Sequence, residues 1–322
     1  MTHGSLTRFS GDDWSFSDQF RKCQNRDVQL AGLILVLFAA FQTPTFKSDP
    51  PHQCGICDEW NRPREPFRIF GNSYYVGTDG LSAILITGDG GHILLDGGLE
   101  QSAALIDANI RTLGFKTEDV KLIVNSHGHY DHAGGIAALQ RASGATVAAS
   151  ASGAEALQRG ENTPDDPQFG FGKAANGFPA VKNVKVIKDG EVQRVGGLAL
   201  TPNFTPGHTP GSTAWTWRSC EGTTCYNMVY ADSLTAVSAD GFKFTAVPGR
   251  VEAFRRSISR VSELPCDIVV STHPSATNLD AKIKKRAEMK GAGPDPFVDH
   301  GCKALAAVAA KALETRIAEE KK

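Results

Sequence analysis

The chain has 322 residues, 41% apolar and 21% charged, with a formal net charge of −1 at pH 7. That balance describes a globular protein with a sizeable core and argues against a disordered or fibrous chain. With 34 Lys and Arg against 35 Asp and Glu, it offers no electrostatic case for nucleic acid.

In chain order, the first feature is "LAGLILVLFAAF" at 30–41, an uncharged run preceded by Arg21, Lys22 and Arg26. It is too short to cross a bilayer as a helix. The pattern fits the apolar core of a secretory signal, set further from the start than usual; the alternative is a buried core helix. Residues 1–45 are therefore expected to form an extended N-terminal region with a signal peptide, and 46–322 a single catalytic domain. Export agrees with the cysteines. Once Cys23 is removed with the signal, Cys54, Cys57, Cys220, Cys225, Cys266 and Cys302 remain, an even set that suggests disulfides. Cys220 and Cys225 flank the turn-like "EGTT" and could close a hairpin tip, while Cys266 and Cys302 could tie the last helix to the body. "CGIC" at 54–57 lacks a second CxxC, which disfavours a redox or zinc half-site.

From Phe67 onward, strands are expected at 67–77, 81–87 and 92–98, where β-branched or aromatic runs are broken by Gly, Asn and Asp. A helix follows at 103–115 with Gly114 as its stop, then a short apolar strand, "VKLIVN", that runs straight into a histidine-rich loop. A helix at 134–144 and a strand at 146–150 precede a long Gly/Pro/Asn/Asp-rich loop over 160–180. Further strands are expected at 184–187, 198–205, 212–218 and 227–231. The helix at 250–264 sets Val251, Phe254, Ile258 and Val261 on one stripe. Strand "DIVVS" leads to His273, and the last helix is expected to bury Leu305, Val308, Ala312 and Leu313.

The histidine-rich loop reads "HGHYDH", 127–132. Three of the nine histidines of the chain and an acid stand there in six positions. His127 and His129, two apart, can bite one ion; Asp131 and His132 add an oxygen and another imidazole. Imidazole with carboxylate suits zinc, and also iron or manganese. The loop holds more ligands than one open site needs and fewer than two require. His208 in "TPGHTPGST" and His273 in "VVSTHPSA", both in Gly/Pro-punctuated loops after strands, can complete the sets. His3, His52, His92 and His300 have no such setting and are read as non-ligands.

"HGHYDH" with the later "GH" and "H" resembles the metallo-β-lactamase superfamily, whose motif is H-x-H-x-D-H. The finer resemblance, over about residues 67–318, is to subclass B3 metallo-β-lactamases. It rests on "YVGTDGLSAILIT", "GHILLDGG", "SHGHYDHAGG", "PGHTPGSTAWTWRSCEG", "MVYADSLTA" and "CDIVVSTHPSA".

The resemblance implies an α/β fold, a four-layer αββα sandwich, with two Zn2+ ions at its edge. One zinc would take His127, His129 and His208; the other would take Asp131, His132 and His273. It implies a zinc-held hydroxide oriented by Asp131 that attacks the β-lactam amide of penicillins, cephalosporins and carbapenems. Ser233 stands where thiolesterases and lactonases of the superfamily carry a bridging aspartate; in B1 and B2 relatives the second zinc instead has a cysteine. Asp232, one residue away, would revive the bridging acid if the register slipped, although strand alternation argues against it. Ser233 and Thr235 resemble the residues that receive the substrate carboxylate, and Gln168 lies on the loop that could overhang the site. Phe242 and Phe244 stand near where some relatives have a tyrosine, so no phenol assists the oxyanion. Asp79 replaces a cysteine that pairs with an N-terminal one in some relatives, which leaves the state of Cys54 and Cys57 open, with at most these two thiols free. The whole reads as an exported, monomeric bacterial periplasmic enzyme with a small-molecule substrate. It needs no nucleic acid, and no membrane after signal cleavage. A lactonase or thiolesterase on the same fold is the nearer alternative, a non-catalytic zinc-binding protein the remoter one.

Overall fold

The computed structural model describes residues 46–322. The expected signal segment, with its apolar core at 30–41, lies outside the described residues. Among the described residues no helix is long and apolar enough to cross a membrane.

Among the described residues, twelve strands form two sheets. The first sheet runs in sequence order: β1 (Phe67–Phe70), β2 (Ser73–Tyr75), β3 (Ile84–Ile86), β4 (His92–Leu95), β5 (Val120–Val124), β6 (Thr146–Ala149) and β7 (Lys185–Val186). It begins as an antiparallel meander and turns parallel from β4 onward, where helices make the crossovers. The second holds β8 (Gln193–Val195), β9 (Leu198–Phe204), β10 (Thr213–Glu221), β11 (Thr224–Ala231) and β12 (Ile268–Ser271). Its order is β12-β11-β10-β9-β8, with β12 parallel to β11 and the other pairs antiparallel.

Side chains on successive strand residues point to opposite faces, so each sheet serves two layers of core. Ile84, Ile86, Ile93, Leu95, Leu122 and Val124 face inward and meet Leu200, Trp215, Trp217, Met228, Tyr230, Ile268 and Val270 from the second sheet. Their neighbours Leu85, Leu94, Ile123 and Val147 face outward under helices 102–112, 136–143 and 151–159. On the far side Ala214, Val229, Ala231 and Val269 lie under helices 250–263 and 302–320. The result is the expected αββα order. These strands read as unbroken apolar runs because both faces are covered. Each fully buried Leu or Ile contributes roughly 1.5–3 kcal/mol.

Several expectations need correction. The last helix buries Cys302, Ala306, Ala309, Leu313 and Ile317, whereas Val308 is 70% exposed and Ala312 is also at the surface. The helix is alanine-rich, and the face it turns to helix 250–263 is the one that carries Cys302, bonded to Cys266, with Leu313 and Ile317. The strand expected at 184–187 shrinks to Lys185–Val186. The long loop contains two helical turns, Phe169–Phe171 and Lys173–Asn176. Cys54 and Cys57 are bonded to each other. Asp79, in the place of the missing cysteine partner, makes ion pairs with Arg62 at 3.3 Å and Arg64 at 3.0 Å. The other pairings agree with expectation: Cys220–Cys225 joins facing residues at the tip of the β10–β11 hairpin, and Cys266–Cys302 ties the last helix to the strand region.

Candidate metal centre

The strand ends build the site. Strand β5 stops at Val124, and the chain turns through Asn125 and Ser126 into His127 and His129. A one-turn helix, Tyr130–Ala133, then carries Asp131 and His132. Parallel β4 ends beside it, at Asp96, in the left-handed conformation (φ 61°). The Asp96 carboxylate accepts from the Ser126 backbone N–H (2.7 Å), the Ser126 hydroxyl (2.6 Å), Asn125 Nδ2 (3.0 Å) and the Tyr230 hydroxyl (2.8 Å). This buried network fixes the loop before it reaches its histidines. From the second sheet, the loop after β9 brings His208, the tail of β11 brings Asp232 and Ser233, and the end of β12 brings His273.

These elements bring all six candidate ligands together. His127, His129 and His208 form one cluster, and His127, Asp131 and His132 another, each with ligand atoms within 4.8 Å of one another. His273 closes the second group. Its Nε2 lies 3.3 Å from His132 Nε2 and 3.4 Å from Asp131 Oδ2, and the last two atoms are 3.2 Å apart.

The partners of the rings decide which nitrogens are available. A carboxylate or carbonyl oxygen only accepts, so the ring nitrogen facing it carries the proton. His127 Nδ1 donates to Asp232 Oδ1 at 2.6 Å, His129 Nε2 to Asp166 Oδ2 at 3.1 Å, and His208 Nδ1 to the Thr235 carbonyl at 2.8 Å. His273 Nδ1 faces the Gly80 carbonyl at 3.3 Å. The opposite nitrogens are left with lone pairs. His127 Nε2 is buried and has no hydrogen-bond partner among the described residues. An orphaned buried acceptor facing two more imidazoles is costly unless a cation fills the gap.

Electrostatics agree. Burial, reinforced by the neighbouring imidazoles, holds His127 well below the usual histidine range, and burial with His129 pushes His208 down to about 3. Both are neutral at pH 7, so no proton competes with a metal for them. Burial works to raise the carboxyl of Asp131, but His132 and His273 outweigh it and hold that group well below the usual range. Neutral His127 and His208 beside one ionised carboxylate match the donor set of zinc, so the residues fit the metals that the sequence motif implies.

The remaining expected site residues are more dispersed. Ser233 is buried, and its hydroxyl lies 2.9 Å from that of Thr272, next to His273. Thr235 stands behind His208, with its hydroxyl 3.2 Å from Nδ1. Strand β11 ends at Ala231, so strand alternation does not extend to these residues. Asp232 instead backs His127, on the side of the ring away from the free nitrogen. Gln168 is half-buried on the long loop, with its backbone N–H donating to Asp166 Oδ1 at 2.8 Å. Sequence reasoning missed Asp166 and the backing role of Asp232. Their only signals are an acid in a Pro-rich loop and an acid at a strand end. It also left His52 aside. That ring stacks on Tyr130, the neighbour of Asp131, with centroids 4.0 Å apart.

Comparison with known proteins agrees with this geometry. A family model described as "Metallo-beta-lactamase superfamily" matches residues 76–273. The solved Rm3 metallo-beta-lactamase is similar at 50% identity and TM-score 0.80, over 84% of this chain and 100% of its own. MEM-A1, a subclass B3 metallo-beta-lactamase from a soil metagenome library, is 46% identical with TM-score 0.77, over 81% of this chain and 98% of its own. MIM-1 from Novosphingobium pentaromativorans is 44% identical with TM-score 0.75, over 81% of this chain and 93% of its own.

Proposed function

Since the chain belongs to the metallo-β-lactamase superfamily and is a hydrolase most like the subclass B3 enzymes, we propose that it opens the ring amide of β-lactam antibiotics, using two zinc ions. The observation that carries this reading is the pair of converging lone-pair clusters, with Ser233 rather than a cysteine or an aspartate beside the second.

His127 Nε2, His129 Nδ1 and His208 Nε2 would hold the first zinc; Asp131, His132 Nε2 and His273 Nε2 would hold the second. Bound zinc supplies a Lewis acid for the carbonyl and the leaving nitrogen, and makes hydroxide available near neutral pH. The protein does the rest. Asp131, ionised and in the floor of the cleft, accepts a hydrogen bond from the attacking water and orients it. Asp232, Asp166 and the Thr235 carbonyl fix the tautomers of the three imidazoles and keep them correctly turned. Ser233 and Thr235 offer hydroxyls to the substrate carboxylate, and the loop bearing Gln168 covers the cleft. No nucleophilic side chain forms a covalent intermediate. Penicillins, cephalosporins and carbapenems share the amide and the carboxylate this arrangement addresses. Three disulfides suit an oxidising compartment and support export to the periplasm of a bacterium as a monomer.

The test is direct. Purified zinc-loaded protein should hydrolyse a carbapenem and lose that activity on chelation. Turnover of an N-acyl-homoserine lactone or a thioester, with no β-lactam turnover, would move the protein to another hydrolase of the fold.

A further inference from the structure

We propose that Asp166 is a positioning residue that couples the loop over the cleft to the first metal cluster, so that the order of the loop and the occupancy of that cluster depend on each other. The inference rests on the reading of His129 as a zinc ligand.

The carboxylate of Asp166 is 4% exposed and is shared. Oδ2 accepts from His129 Nε2 at 3.1 Å, while Oδ1 accepts from the backbone N–H of Gln168 at 2.8 Å. One oxygen therefore fixes the tautomer and plane of a candidate ligand, and the other closes the turn at the root of the loop. A carboxylate has lone pairs enough for both; a neutral amide has a single acceptor oxygen.

The stretch around Gln168 has little else to hold it. Phe169 and Phe171 are 38% and 46% exposed, and the core contact of the loop, Phe178, lies at its far end. It hangs on a few polar ties. Asn176 Nδ2 donates to the Gln168 carbonyl at 2.8 Å, and Arg250 Nη2 to the Asp165 carbonyl at 2.7 Å. The Ala239 N–H donates to the Pro167 carbonyl at 2.9 Å. That last tie reaches the segment whose Thr235 carbonyl backs His208, so two of the three first-cluster imidazoles are braced by chain that belongs to this loop or is tied to it.

If the loop swings away, Asp166 leaves with it and His129 is free to turn. When zinc holds His129, the ring presents its N–H to Asp166 and draws the loop root into place. Coupling of this kind is reciprocal by thermodynamic necessity. Substrate settling under the loop would then tighten the first zinc without touching it.

The experiment uses the full mature chain and two readouts besides activity: zinc affinity by competition with a chromophoric chelator, and amide hydrogen exchange across 164–172. In the unmodified protein zinc should slow exchange in that segment. Asp166→Asn should bind the first zinc about 10- to 100-fold more weakly, with the second little changed, and zinc should no longer protect the loop. Arg250→Ala loosens the loop from outside, touching neither Asp166 nor His129, and carries the test should the first variant fold poorly. It should speed exchange at 164–172 and weaken the first zinc by a few-fold. Wild-type zinc affinity in Asp166→Asn would overturn the proposal, as would a loosened loop in Arg250→Ala with unchanged affinity. An unmodified protein that binds no zinc would instead sink the metal reading, and this inference with it.

Discussion

The two ligand clusters share one cleft but are braced differently. In the first, the far nitrogen of every imidazole meets an acceptor: Asp232 at 2.6 Å, Asp166 at 3.1 Å and the Thr235 carbonyl at 2.8 Å. In the second, His132 Nδ1 is 3.9 Å from Asp96 and unpaired among the described residues. His273 reaches the Gly80 carbonyl at 3.3 Å, with a side chain still 30% exposed. No hydrogen bond on its far nitrogen aims His132, whereas such bonds aim the first three rings. A ring already aimed loses less freedom when it takes a metal. On the two-zinc proposal, the first cluster should therefore be the tighter and more selective seat, and the second the one that exchanges.

The largest expected effect comes from breaking either cluster outright. His208→Ala and His273→Ala should each lower kcat/KM for a carbapenem on the order of a thousandfold or more, since a metal contributes several kcal/mol to the transition state. Metal analysis separates them: His273→Ala should keep one tightly held zinc, and His208→Ala should keep only a loosely held one. Next in size is the bracing itself. Asp232→Asn should weaken the first zinc by about 10- to 100-fold. The corresponding change behind the second cluster, Asp96→Asn, should leave zinc affinity nearly unmoved. It should cost roughly 1–3 kcal/mol of stability instead, because Asp96 serves Ser126, Asn125 and Tyr230 more closely than His132.

A third effect lies on the flank of the second cluster. Glu100, beside His52 and behind Tyr130, is pushed by burial from 4.5 up to about 7. Its folded pKa is above its unfolded one. The stability it contributes is therefore complete below about pH 4.5 and lost as pH rises through 7. Glu100→Gln should remove that loss, making the variant about 2 kcal/mol more stable than the parent at pH 8 and no different at pH 4.5, after allowing for screening. Denaturant melts at the two pH values decide it; an equal gain at both would mean simple repacking. The smallest effect is at the substrate hydroxyls. Ser233→Ala with Thr235→Ala should lower kcat/KM about tenfold while both zincs remain, from loss of hydrogen bonds to a carboxylate. The loss should be concentrated in KM if the hydroxyls only bind.

What was legible from residue order was what lies close in the chain or repeats with a period. The dense "HGHYDH" loop marked four candidate ligands, and His208 and His273 stood out by their Gly/Pro loops after apolar strands. The αββα layering followed from the likeness of those motifs, and the unbroken apolar strands agree with it. The bracing was not legible, because Asp232 meets His127 across 105 positions and Asp166 meets His129 across 37. No local pattern marks a carboxylate that will be buried against a ring nitrogen. Nor could an alanine-rich helix declare its buried face, which is why Val308 ended in solvent. The Cys54–Cys57 bond was hidden by the expectation that an N-terminal cysteine needs a distant partner.

Stepwise zinc titration of the metal-free protein, followed by carbapenem hydrolysis at each step, tests the central claim most directly. The account predicts two distinguishable binding steps per chain. The tighter survives in His273→Ala and disappears in His208→Ala, and full hydrolysis is reached only after the second. A single zinc per chain, two zincs of equal affinity, or a tight step that survives in His208→Ala would contradict it.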